Sequence, residues 1–264
     1  QLWDLQPNFI EDWIDSSMVA DVFPEGVAQR LHLVEEGDYG QLRVPQQVLI
    51  SMNALMIVLF IVPVSWMVRR MRTLSAMLIG MLGATAGVLV AGLTGHGWIL
   101  LLGIMLFSLG EMLTGPKKQE YLGLIAPPGK KGLYLGYVNI PVGIGLAVGS
   151  DLAGRIYNTY GEKATLALKY LMEHTPFGQG KTWDGDVDTL EAAAGISRHD
   201  AFNTLREQLG GETLMDGAKA TKLLWDTYSP QYHVWIPFAV IGVVAAIALA
   251  IFGQMAKRWK DMNA

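Results

Sequence analysis

Cysteine is absent from the 264 residues. Disulfides, thiolate metal ligands and thiol nucleophiles are excluded with it, and the redox compartment cannot be read. An excess of either charge is also lacking: 20 basic and 24 acidic residues leave a formal charge of −4. That is too little to attract a nucleic acid or another polyanion. The five histidines, at positions 32, 96, 174, 199 and 233, are scattered, and none is at metal-ligand spacing on a helix. No metal, no cofactor and no enzymatic activity is expected from this inventory. The opening residues QLWDLQPNFIEDW lack the basic stretch and apolar core of a signal peptide. Starting on Gln1, the chain reads as cut at its N-terminus.

What the chain has instead is apolar sequence, 51% of residues, gathered into long runs. About 20 consecutive apolar residues are needed to cross a bilayer as a helix, and in hydrocarbon such a run must be helical to satisfy its own backbone. Five runs qualify: 47–68, 74–93, 98–126, 133–157 and 235–253. The expected fold class is therefore an all-α membrane protein, a bundle of about five transmembrane helices. The fourth run, LYLGYVNIPVGIGLAVGSDLAGRIY, is Gly-rich. Small residues allow close helix approach, so this span is expected to pack between neighbours.

Charge sets the expected topology. Arg69, Arg70 and Arg72 lie between the first and second runs, Lys130 and Lys131 between the third and fourth, and Lys257, Arg258 and Lys260 after the fifth. These alternate correctly for one side of the membrane, and short basic loops mark the cytoplasm. The other side receives 1–46, with nine acidic and two basic residues, the turn TGHG, and 158–234. The chain then divides into an extracytoplasmic segment at 1–46, four spans over 47–157, an extracytoplasmic helical insertion at 158–234, the last span at 235–253 and a cytoplasmic tail at 254–264. Segment 1–46 could begin as the tail of an earlier membrane helix. The insertion reads as a small helical cap, with Ser197 as an N-cap and Gly210 as a stop. Asp184, Asp186 and Asp188 are spaced like the start of a calcium loop. Thr189 stands where that loop needs Gly, and Gly195 where it needs a bidentate Glu, so a solvated turn is the expectation.

The charged residues of the third run carry the functional question. GEMLTGPKKQEYLGLIAP sets Glu111 in apolar sequence, with Lys117, Lys118 and Glu120 just beyond Gly115 and Pro116. A helix stopping at Pro116 puts the lysines in an ordinary basic loop. A helix running to Ala126 holds all four charges at membrane depth, where ionisable groups are costly and mark functional sites. Length admits both. In the long version Glu111 and Lys118 share a face, Lys117 and Glu120 can pair, and Pro116 frees the Met112 carbonyl and kinks the helix. Glu111 either titrates or binds a cationic group, or serves only as an interhelical partner. Lys117 and Lys118 would attract an anionic solute. Asn53 is either a ligand contact or a packing hydrogen bond. Tyr137 and Asn139, with Pro141, could line a cavity. Asp151 is expected to pair with Arg155, and the many methionines are gap fillers.

Several stretches resemble the major facilitator superfamily. RRMRT sits where that superfamily carries a basic motif, Arg69, Arg70 and Arg72 here, at the cytoplasmic end of its eighth helix. GEMLTGP, IAP and KKGL are similar to the tenth-helix pattern and following turn of proton-coupled oligopeptide transporters. Asn53 and Pro63 fall where their eighth helix carries Asn-Pro and a later Pro. Here Ala54 follows the Asn, and GPKKQE is more charged than the related run. Over 47–157 and 235–253 the chain thus looks like the C-terminal half of such a transporter, helices eight to twelve. The resemblance implies a multi-pass protein of the plasma (inner) membrane that moves a small solute, peptide-like or charged, by alternating access with proton coupling. It implies as partners the lipid bilayer, protons and the missing N-terminal half of the same chain. The competing expectation is a complete five-span protein whose outer cap binds a partner, as a sensor or assembly factor would.

Overall fold

The computed structural model describes residues 5–36, 42–210 and 215–256. An amino-terminal segment contains α1 (Gln6–Trp13), α2 (Ser17–Ala20), α3 (Glu25–Arg30) and a minimal hairpin, β1 (Glu35–Glu36) against β2 (Leu42–Arg43). Long helices follow: α4 (Gln46–Val68), α5 (Thr73–Gly92) and α6 (Gly97–Ile125). After α7 (Lys131–Gly136) comes α8 (Asn139–Tyr160). The cap holds α9 (Lys163–His174), α10 (Leu190–Ala194), α11 (Arg198–Gly210) and α12 (Gly217–Tyr228), and α13 (Pro230–Ala256) closes the chain. Among the described residues, five helical segments are long and apolar enough to cross a membrane.

The α5–α6 pair is the tightest contact, and small residues make it possible. Gly80, Ala84, Gly87 and Ala91 recur every three or four residues and so share one face of α5. A Cβ on Gly87 would sit 2.4 Å from the Phe107 nitrogen, and one on Gly103 2.4 Å from the Ala91 nitrogen. Membrane helices have little hydrophobic drive to associate, so close backbone approach supplies the dispersion contact. At the end of the same helix Gly92 receives the Trp235 ring of α13, where a Cβ would lie 2.2 Å from the indole. Outward faces stay apolar: Val58, Leu59 and Val62 on α4, and Val240, Val244 and Ile247 on α13, are exposed.

The fourth span departs from expectation twice. It is not one helix over 133–157: i→i−3 hydrogen bonds carry the chain from α7 through Tyr137 and Val138 into α8. Pro141 has no N–H to continue the α-pattern back to Tyr137, and it is tolerated because it falls in the first turn of α8. Nor does the span pack between neighbours among the described residues. Gly143, Gly145, Gly149 and Gly154 have no atom within 4 Å of a built Cβ, and only Ala153 and Tyr157 of α8 are buried.

The cap is shorter than 158–234 because α8 runs on to Tyr160 and α13 starts at Pro230. It is docked, not tethered. Phe9 and Trp13 of α1 enter the cluster formed by Leu166 and Leu171 of α9, Leu205 of α11, Leu224 of α12 and Trp235 of α13. Phe9 meets the Trp235 ring edge-on at 5.3 Å, and Trp13 lies 5.7 Å from Trp225. Segment 1–46, within its described residues, is thus folded in beneath the cap. Ser197 caps α11 by accepting from the His199 amide, and Gly210 is its last residue. Asp184 accepts from Thr189 Oγ1 and the Asp186 amide, bonds that hold its carboxyl below the ordinary range. Asp184, Asp186 and Asp188 are all exposed in this turn.

Candidate functional site in the membrane helices

Helix α6 continues through Pro116 to Ile125, 29 residues in all. At 1.5 Å per residue it is roughly 43 Å long, enough for the bilayer with its headgroups. Lys117 and Lys118 therefore lie within the helix and not in a loop that follows it. Thr114 Oγ1 donates back to the Gly110 carbonyl at 3.0 Å in the turn before the proline, and Gly115 is uncrowded, so the ring is accommodated without a break. Pro63 likewise lies inside the continuous α4.

Glu111 is the fifteenth of those 29 residues, the middle of the span. It faces outward from the pair α5–α6, toward α4. Asn53, itself buried, donates from Nδ2 to Glu111 Oε2 at 3.4 Å, and Ser108 Oγ donates to Asn53 Oδ1 at 2.6 Å. The amide of Asn53 therefore bridges two side chains of α6 that are three residues apart and share a face. The sequence does not single out Ser108 as a partner, although its spacing three residues before Glu111 is the available signal. The Glu111 side chain is nevertheless exposed, so it retains acceptor capacity for a further donor.

A second polar cluster lies two turns further along α6. Lys117 Nζ is 2.8 Å from Glu120 Oε2, and Thr73 Oγ1 of α5 reaches Glu120 Oε1 at 3.4 Å. The Lys117 side chain is only 5% exposed while Glu120 is 47% exposed. Buried ammonium groups need a paired anion, and this one has it. Lys118 is not joined to Glu111 by any ion pair among the described residues, despite sharing its face. Glu111 is held by α4 instead.

Other expected residues fall elsewhere. Tyr137 and Asn139 are exposed at the α7–α8 junction with Pro141 beside them, and the structure does not bring them to Glu111. Asp151 pairs with Arg155 at 3.0 Å on an exposed face. Arg69, Arg70 and Arg72 lie at the α4–α5 turn, where Arg70 covers the Trp66 ring at 4.4 Å. Lys130 and Lys131 occupy the same end of the bundle, opposite the cap. Lys257, Arg258 and Lys260 lie outside the described residues.

A model of the Major Facilitator Superfamily matches residues 13–168, from the end of α1 into α9. The chain belongs to the Major Facilitator Superfamily. Members of this superfamily are membrane transporters, so the apolar helices are those of a multi-pass transporter and the competing sensor reading is not favoured. No curated protein and no solved structure gave a significant match.

Proposed function

We propose that the chain is part of a secondary active transporter that moves a small charged or peptide-like solute by alternating access, with Glu111 as its proton-coupling group. The observation that carries this reading is the Asn53–Glu111–Ser108 arrangement at the middle of α6. A carboxylate at that depth costs several kcal/mol unless it is hydrogen-bonded or faces water. Asn53 gives it one donor. Its open side is where a proton or a cationic group can bind, and neutralisation would relieve the cost of carrying charge through a closed state. Lys117, enclosed and paired to Glu120, is the group an anionic solute would compete for, with Lys118 beside it.

The basic loops at one end of the bundle support a cytoplasmic placing of that end, and the resemblance to oligopeptide transporters supports a plasma-membrane protein whose helices form a C-terminal half working with a preceding half. The exposed, unpacked α8 agrees with a bundle that has further helices to meet. The test is reconstitution of the native full-length protein in liposomes loaded with a pH-reporting dye, challenged with alanyl-alanine under an imposed pH gradient. Dipeptide-dependent proton entry that disappears in Glu111→Gln supports the reading. Proton entry that is unchanged in that variant overturns the role given to Glu111.

A further inference from the structure

A cavity of about 420 Å³ lies at the other end of the molecule, where the cap meets the amino-terminal segment. It is remote from Glu111 and within the roughly 300–1,000 Å³ range of small-molecule sites. Apart from Arg43, its charges are separated by wall. Glu11, Asp12 and Asp15 line the side formed by α1 and the residues after it, and Lys163 of α9 and Lys222 of α12 line the cap side. The indole of Trp225 on α12 also lines it. We infer that this is an extracytoplasmic binding site for a small zwitterion with an apolar or aromatic body.

The partners already made on each wall decide which groups are open. Arg43, on the acidic side, is committed to Glu35 at 2.9 Å and to Glu11 at 3.5 Å. Asp12 is spent on structure, since its Oδ2 accepts from the Lys163 amide at 3.1 Å and from the Tyr157 hydroxyl. Asp15 uses Oδ1 to hold the Ser17 amide and hydroxyl, and its Oδ2 accepts no bond among the described residues. On the cap side, Lys222 is exposed and forms no ion pair among the described residues. A ligand ammonium therefore belongs at Asp15, a ligand carboxylate at Lys222, and the apolar body on Trp225.

A singly charged ligand fits one wall and is opposed by the other, so the geometry selects for both charges on one molecule. The same placement has a mechanical consequence. Lys222 and Trp225 belong to the cap, whereas Asp15 is bonded through its backbone to Gly95 and Gly97 at the α5–α6 turn. An occupant joins the cap to the membrane bundle.

The experiment is equilibrium binding of L-phenylalanine to the full-length protein in lipid nanodiscs, with phenethylamine and 3-phenylpropionate as single-charge probes. Saturable binding of phenylalanine, weakened about tenfold or more in Lys222→Gln and in Asp15→Asn and stronger than that of either probe, is the expected result. Both replacements are at exposed side chains, so folding is retained. No saturable binding, binding indifferent to both replacements, or equal binding of a single-charge probe overturns the site. Glu111→Gln is measured alongside: binding lost there and kept in Lys222→Gln would place the zwitterion in the membrane and also overturn it.

Discussion

The Lys117 ammonium and the Glu120 carboxylate meet at 2.8 Å one turn apart on α6, with the lysine enclosed and the glutamate half in the open. The asymmetry predicts unequal mutants. Glu120→Ala leaves an enclosed cation unpaired, and since Glu120 is itself half exposed the loss should be about 1–2 kcal/mol, less than the roughly 3–5 kcal/mol of a fully enclosed pair. Lys117→Met removes the buried charge and keeps its volume, so it should be neutral or stabilising. Thermal unfolding in detergent separates them. Equal losses in both would mean that the pair is ordinary surface charge.

The α5–α6 contact predicts a contrast between glycines. At Gly103 a side chain meets the Ala91 backbone, which cannot yield by a rotamer change. Gly103→Val should destabilise by at least about 2 kcal/mol through overpacking. Gly145→Ala, on the face of α8 that these 264 residues leave open, should be tolerated in this chain and should add helix propensity. Comparable melting temperatures for the two variants would contradict the observed packing.

Much of this arrangement could be read from sequence, because an apolar run of bilayer length leaves the backbone only one solution. The ends of α4, α5 and α6 fall within a residue of the apolar runs for that reason. What sequence could not give was which faces meet. The fate of GPKKQE turned on whether Lys117 finds cover, and that is a property of neighbouring helices, not of the stretch itself. The glycines of α8 meet no neighbour among the described residues, since small residues permit close packing without causing it. Ser108 and Thr73 became partners only through the register of α6 against α4 and α5. The docking of α1 under the cap joins Trp13 to Gly161 and Asp12 to Tyr157 across nearly 150 residues of chain, and no local pattern announces it.

The bridge through Asn53 separates structure from transport. Ser108→Ala removes the donor to a buried amide oxygen and should cost about 0.5–1 kcal/mol of stability, the usual worth of an interhelical hydrogen bond. Glu111→Gln keeps an acceptor for Asn53 on an exposed side chain, so its melting temperature should stay near that of the parent while proton-coupled uptake is lost. A large stability loss in Glu111→Gln would instead make the residue a structural partner.

The Asp12 carboxyl ties α1 to the corner between α8 and α9, and its environment gives that corner a pH dependence. Burial raises its pKa above the ordinary carboxylate value, against the opposing pull of Lys163 and of the bonds from Tyr157 and the Lys163 amide, with Glu162 adding to the rise. Glu11 and Lys222 also face the adjoining cavity. Because the folded state holds this proton more tightly than the unfolded chain, the stabilisation tied to protonation is complete below about pH 4 and is lost as pH rises through the raised value. Asp12→Asn keeps an oxygen for both donors and removes the charge, so its stability should lack this component. The measurement is the difference in melting temperature between the parent and Asp12→Asn from acid to neutral pH. The parent should lose ground to the variant as pH rises through that window. If the parent gains on the variant instead, the ionised carboxylate is the favoured partner of Lys163 and burial does not govern the group.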